Sequence, residues 1–421
     1  GKNLAFAAGT TFYQHFDLLN LFEGISSQSL KIIEDGKVTE LAGGKDFNAM
    51  AVCGGGDVEG GIVYAGFGVS APDFRYDDYK GVDVKGKVAL VLRGAAALKG
   101  EGASSLMHLH SDIRYKILNA RIHGASAVIF VDPSFSPRGK SLLPPEESGE
   151  DVFGAGANFP CFSITRERLS VLFGNGGIDK LEEETIMTQA PNSKTLDGIK
   201  IQASAVRKET GRLPTQNLIG VKNGKSEKAI IIGAHYDHIG LGGIYSAERN
   251  SGGIHNGADD NASGVAALLG IIERFSGKKT EKTLIFAAFG AEETGLDGSA
   301  FFLNSGVVRK EDVGLMINLD MVGRMTGNEV FIGGLETVPE IRPAVMEKAG
   351  KLGLSVREMS ASAVLSDHTP FLLAGIPAIF ISTGMHEDYH KPSDDAEKIN
   401  FEGISKIVEL VSGIIETASP F

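Results

Sequence analysis

The sequence predicts an α/β protein of two domains, a mixed β-sheet flanked by helices preceded by a second, mostly β domain. Three observations carry this expectation. Beyond about residue 200, apolar runs alternate with helical stretches, the pattern of a sheet with helices on its faces. Before that point, short β segments are separated by Gly and charged turns, and the 55 glycines of the chain, nearly twice the ~7% average, fit many tight turns. At 421 residues the chain is long for a single hydrophobic core.

Residues 1–29 read as an N-terminal segment and 30–195 as the mostly β domain. Its apolar segments are Gly61–Gly68, Lys87–Arg93 and Ala127–Val131, and its clearest helix runs from Arg114 to Gly124, with Gly124 as C-cap ahead of the last of these strands. A loop rich in Gly, Ser and Glu surrounds Pro144 and Pro145. Glu182-Glu183-Glu184 reads as a solvated face and, with Pro191-Asn192-Ser193, marks a polar boundary, so the second domain spans 196–421. His108, His110 and Asp112 fit a solvated helix start better than a metal site. Only Cys53 and Cys161 are present, which excludes a disulfide scaffold and a cysteine metal cluster; two buried thiols are favoured over a pair.

In the second domain four strands matter: Ala229–Ala234, Leu284–Phe289, Gly314–Leu319 and Pro377–Ser382. Each runs into polar residues at its C-terminal end, respectively His235-Tyr236-Asp237, Glu292-Glu293, Asp320 and Tyr389-His390. In an open α/β sheet ligands gather outside the carboxyl ends of the strands, so the four clusters are expected to converge. A fifth, Asp259-Asp260, lies in a Gly-rich turn before the apolar helix Val265–Phe275.

Together these clusters offer His235, Asp259, Glu293, Asp320 and His390 as a nitrogen and oxygen ligand set that suits zinc. Five residues give two ions three ligands each only if one carboxylate bridges them, which holds the ions roughly 3.5–4 Å apart. Asp259 is the natural bridge. Two divalent cations against three carboxylates leave one positive charge, which a bridging hydroxide neutralises. Asp237 is expected to fix the His235 tautomer, as carboxylates do for metal-bound imidazoles. Glu292, adjacent to a ligand but not required as one, is free to take a proton from the attacking water and return it to the leaving amine. Tyr389 is placed to donate to the oxyanion. Any one of these pieces alone is ordinary surface or capping chemistry; it is their position behind successive strands that makes a site.

These residues carry a resemblance. Through GAHYDH, NGADDNASG, AEETGLDGS, NLDMVG, SDHTPF and DYHKPSD, the chain from about 200 to 421 resembles the zinc aminopeptidases of the M28 metallopeptidase family. The resemblance implies a zinc-exopeptidase fold, one zinc held by His235, Asp259 and Asp320, a second by Asp259, Glu293 and His390, and Glu292 as general base. It also implies a cis peptide between Asp259 and Asp260. Asp367, in its Ser-Asp-His-Thr-Pro setting, is expected to support the site or touch substrate, while His238, His255, His368 and His386 either line the pocket or are hydrogen-bonded loop residues. The first half is similar to the protease-associated (PA) domain inserted in this family, through GGIVYAGFGVSAPDFRYDDYKGVDVKGKVALVLRG and HGASAVIFVD. The resemblance implies a domain that covers or borders the active-site opening and limits substrate size, and no essential chemistry is expected of it. Members normally open with a helical segment, whereas this chain reaches Phe12-Tyr13-Gln14-His15-Phe16 almost at once, so a truncated chain is the expectation.

The function expected is therefore a two-zinc aminopeptidase acting on peptides. Carboxypeptidase or glutaminyl cyclase chemistry on the same fold is the nearest alternative, and a receptor-like binding protein the alternative from another class. A net charge of -12 disfavours nucleic acid and anionic membranes as partners. No apolar run approaches the ~20 residues of a membrane span. Export to the periplasm or medium is expected from the relatives, with no basic-then-apolar leader before Phe6.

Overall fold

The computed structural model describes residues 5–6, 12–50, 54–71, 75–94, 113–134, 159–172, 177–242, 246–248 and 252–417. The chain divides into two compact units, one of residues 1–18, 214–361 and 365–421 and the other of 19–213 and 362–364. Residues 196–213 thus fall with the β-rich unit, and the first 18 residues with the unit that holds the strand-end clusters.

In the β-rich unit, Gly56–Tyr64, Val88–Leu92, Ala127–Val131 and Cys161–Ile164 run parallel in that order. Each of the last three is fully buried and, apart from Ser163, apolar, as strands covered on both faces must be. The helix Ile113–Ile122 ends as expected at Gly124, whose φ of 85° is the left-handed conformation that suits a residue without Cβ. Two expectations fail here. Glu182 is not solvated: it is 1% exposed, pairs with Arg166 and accepts the Ser134 N–H at 2.9 Å, while Glu183 and Glu184 remain exposed. Cys161 is not a free thiol but is disulfide-bonded; Cys53 lies outside the described residues, as do His108, His110, Asp112 and the Pro144-Pro145 loop.

The other unit is built on strands β1 (Ser226–His235), β2 (Lys282–Phe289), β3 (Val313–Leu319), β4 (Glu329–Gly333), β5 (Ser355–Met359) and β6 (Ala378–Ser382). Their order is β5-β4-β6-β3-β1-β2. β2, β1, β3 and β6 are mutually parallel, β4 runs against β6, and residues Leu218 to Lys222 pair antiparallel with β2 and, on their other side, with Ala5–Phe6. Among the described residues five α-helices accompany them: α1 (Gly264–Phe275), α2 (Asp297–Asn304), α3 (Arg342–Lys351), α4 (Thr369–Leu373) and α5 (Phe401–Thr417).

Side chains alternate across a strand, and that alternation splits the core in two. Ile230, Ile232 and Ala234 of β1 join Leu315, Ile317 and Leu319 of β3 against Leu268, Ile271 and Phe275 of α1 and Ile407, Leu410 and Ile414 of α5. Ile231, Ile285, Ala287, Phe289 and Met316 face the other way, onto Phe302 of α2 and Phe371 of α4. With helices on both faces and four parallel strands ending at one edge, the sheet delivers the four strand-end clusters to the same place. The mixed α/β architecture expected from the sequence is the one observed.

Candidate metal centre and active site

His235 closes β1 and is 1% exposed. Its Nε2 lies 3.1 Å from Asp260 Oδ1 and 3.4 Å from Asp320 Oδ1, the first carboxylate beyond β3. The second oxygen of Asp260 lies 3.2 Å from Nε2 of His390, which in turn stands 3.1 Å from Glu293 Oε2. One carboxylate therefore sits between two imidazoles that come from opposite ends of the domain sequence. His235, Asp260 and Glu293 present ligand atoms within 4.8 Å of one another, as do His235, Glu292 and Asp320.

The carboxylate between the histidines is that of Asp260, not Asp259. Asp259 turns away: its Oδ1 accepts the Gly323 N–H at 2.6 Å and its Oδ2 lies 3.1 Å from Nε2 of His386. The cis peptide is likewise one residue further on, between Asp260 and Asn261. Asn261 anchors the turn, its Nδ2 donating to the Leu319 carbonyl at 2.9 Å and its Oδ1 accepting from Gly264 at 3.0 Å.

Electrostatically the site is a cation trap. Burial alone lowers an imidazole's pKa, yet Glu292, Asp320 and Asp260 hold His235 well above the usual histidine range. Against the same burial penalty, Asp260 and Glu293 raise His390 to about 9. Burial raises Glu292 well above the ordinary carboxylate range; the pull of His235 opposes this, and Glu293, Asp320 and Asp367 add to it. Asp320 offers a further sign of fit: Ser366 Oγ donates to its Oδ2 at 2.7 Å, while its buried Oδ1 accepts no well-formed hydrogen bond among the described residues. Two imidazoles and three carboxylates that converge, with a buried oxygen left over, are a donor set for divalent cations of the zinc type.

Residues 217–415 match the sequence profile of peptidase family M28, and residues 57–172 that of the PA domain. Residues 217–415 thus form a peptidase family M28 domain, preceded by a PA domain at 57–172. Among curated relatives, the aminopeptidase YwaD of Bacillus subtilis (strain 168) is 28% identical over 358 residues, which is 80% of this chain and 63% of that protein. A probable leucine aminopeptidase of Trichophyton verrucosum (strain HKI 0517) is 28% identical over 53% of this chain and 62% of its own length. The chain thus spans somewhat less than two thirds of these relatives. Among solved structures, an aminopeptidase from Aneurinibacillus sp. strain AM-1 aligns over 96% of this chain and 83% of its own with 24% identity and a TM-score of 0.45.

Around the inner residues the M28 domain holds supports that the sequence reading assigned otherwise or missed. Asp237 was expected to orient His235, but its carboxylate is 3.8 Å from Nδ1, and its backbone carbonyl takes that ring nitrogen at 3.1 Å. The carboxylate instead accepts the N–H groups of Glu292 and Glu293 at 3.1 and 3.3 Å. His238 meets Glu293 Oε1 through Nδ1 at 2.7 Å. Asp367, expected to support the site or touch substrate, is 0% exposed, which leaves no surface for substrate; burial lifts it to about 7. Tyr389 stacks on His390 with centroids 3.9 Å apart, and burial followed by the charges of Asp260, Glu293, Glu292 and Asp320 keeps its phenol protonated.

Asp394 is a further support that no strand-end cluster marks. It is 1% exposed, and its Oδ2 accepts the N–H groups of both Asp259 and Asp260, at 2.8 and 3.1 Å. Its position at the end of DYHKPSD was the only available signal. Of the remaining histidines, His255 meets Ser246 Oγ at 2.8 Å and His368 is wholly buried against the Ala361 carbonyl at 2.9 Å.

Proposed function

We propose that this chain is a metal-dependent aminopeptidase, with two zinc ions held by His235, Asp260 and Asp320 and by Asp260, Glu293 and His390. The observation that carries this reading is the Asp260 carboxylate, whose two oxygens face imidazoles from two strand ends. The curated relatives above are described as aminopeptidases, which supports peptides as the substrate class and their N-termini as the point of attack. Divalent cations bound there supply Lewis acidity to the scissile carbonyl and make water nucleophilic near neutral pH.

The chain's own residues do the rest. Glu292, beside the ligand Glu293 and not needed as one itself, takes a proton from water and passes it to the leaving amine. Asp237 fixes the backbone from which Glu292 and Glu293 project, through the two N–H groups it accepts. Tyr389, kept protonated, donates to the oxygen that gains charge. Asp394 holds the backbone of the bridging residue. We place the protein in an oxidising, exported setting, which the disulfide at Cys161 supports.

The experiment is a panel of free, N-acetylated and C-amidated peptides offered to the enzyme as prepared, after chelation and after zinc is restored, with Glu292→Gln alongside. Free and amidated peptides should lose their first residue, acetylated ones should survive, and chelation should abolish turnover reversibly. Glu292→Gln should retain zinc and lose roughly 10²–10⁴-fold in kcat. Cleavage of acetylated but not free N-termini sinks the aminopeptidase reading; cyclisation of N-terminal glutamine without hydrolysis moves the site to glutaminyl cyclase chemistry.

A further inference from the structure

The loop that carries Glu292 is held in a conformation that its own residues disfavour. Ala291 and Leu296 have φ of 60° and 61°, left-handed values that cost a residue with a Cβ and persist only where the surroundings over-determine them. Asp237 grips the middle of the loop from above the sheet edge. Its base is gripped by a residue far away in sequence. The amide of Asn217, 0% exposed, accepts the Gly290 N–H on Oδ1 at 3.0 Å and donates from Nδ2 to the Gly298 carbonyl at 2.8 Å. One side chain therefore closes both ends of the segment 290–298.

The second hydrogen of Nδ2 goes to Oε1 of Gln14 at 2.8 Å. Gln14 is 7% exposed, and its own Nε2 donates to Ser305 Oγ at 2.8 Å, which donates on to the Phe302 carbonyl at 2.6 Å. The contacts fix the orientation of both amides, since a flipped Asn217 would set Nδ2 against the Gly290 N–H and Oδ1 against the Gly298 carbonyl. Space is closed as well: a Cβ at Gly298 would stand 2.1 Å from the Gly290 carbonyl oxygen and 2.5 Å from Asn217 Oδ1.

We infer that Asn217 is a positioning residue for Glu292, oriented in turn by Gln14 from the N-terminal strand, so that a buried amide pair sets where the general base stands. This rests on the reading of Glu292 as the base, but the mechanical part does not. The test uses the full zinc-loaded chain, with Asn217→Ala, Gln14→Ala and Gln14→Glu. Gln14→Glu keeps an acceptor for Asn217, and the Ser305 hydroxyl can turn from the Phe302 carbonyl to donate to it, so it serves as the near-isosteric rescue.

Two readouts are taken: amide hydrogen exchange across Ala291 to Leu296, and kcat and KM on a free peptide. Asn217→Ala should speed exchange in that segment roughly 10-fold or more and lower kcat by about 10²-fold, with KM within about twofold and zinc content unchanged. Gln14→Ala should move both in the same direction by less, and Gln14→Glu should restore them. The inference is overturned if exchange in the loop is unchanged in Asn217→Ala, or if Gln14→Glu is as damaging as Gln14→Ala. Should Asn217→Ala not fold, the Gln14 pair decides alone. If the wild-type chain loaded with zinc hydrolyses no peptide, the functional reading fails, while exchange still decides whether the amide pair sets the loop.

Discussion

His368 makes the M28 domain sensitive to mild acid in a way that can be worked out from one side chain. Its imidazole is 0% exposed, donates Nε2–H to the Ala361 carbonyl at 2.9 Å and lies against the Phe380 ring. Burial pushes it down to about 4, from an ordinary 6.5. The unfolded chain therefore takes up a proton here below about pH 6.5, whereas the folded chain resists until near pH 4. Over that window the unfolded state binds more protons, so stability is complete above pH 6.5 and is lost as pH falls through 4. The gap between those values corresponds to about 3 kcal/mol, a large part of the ~5–15 kcal/mol that a native protein commands. Urea unfolding of metal-free protein at about pH 7, 5.5 and 4.5 should show this loss. His368→Gln keeps an N–H for Ala361 but takes up no proton, so its stability should fall by about 2 kcal/mol less over the same range, which stops short of the folded value near 4. Parallel losses in the two proteins would refute the reasoning, because the acid sensitivity would then belong to other groups.

Two further substitutions test the supports of the site. Gly298→Ala places a methyl group 2.1 Å from the Gly290 carbonyl oxygen, so α2 and the Glu292 loop must part by about 1 Å; kcat should fall about 10²-fold, with a stability loss of about 1–3 kcal/mol in thermal unfolding. Asp394→Ala leaves the buried N–H groups of Asp259 and Asp260 without their acceptor and should cost about 3–6 kcal/mol together with weaker zinc retention in dialysis, whereas Asp394→Asn, which keeps an oxygen, should lose far less.

Much of this was legible in the sequence, for reasons that particular residues make plain. β1, β2, β3 and β6 each carry an apolar run because both sheet faces are covered, and such runs stand out; the expected strand Leu284–Phe289 lies wholly within β2. His235, Glu293, Asp320 and His390 follow strand ends or distinctive motifs, and the structure brings them together. The choice between Asp259 and Asp260 was not legible. Adjacent residues in an irregular turn point in different directions, and spacing alone does not say which points inward. Asn217 and Gln14 act through contacts to residues distant in sequence, with nothing local to mark them, and Asp394 has only its place at the end of DYHKPSD. Glu182 looked solvated among three glutamates because its partner, Arg166, becomes a neighbour only through folding.

The assignment of Asp260 as the shared ligand is tested most directly by the zinc content of Asp259→Asn and Asp260→Asn, measured by elemental mass spectrometry after exhaustive dialysis beside the unmodified chain. The unmodified chain and Asp259→Asn should each retain about two ions per molecule and Asp260→Asn at most about one, because only Asp260 faces both His235 and His390. Two ions retained by Asp260→Asn, with loss from Asp259→Asn, would contradict it.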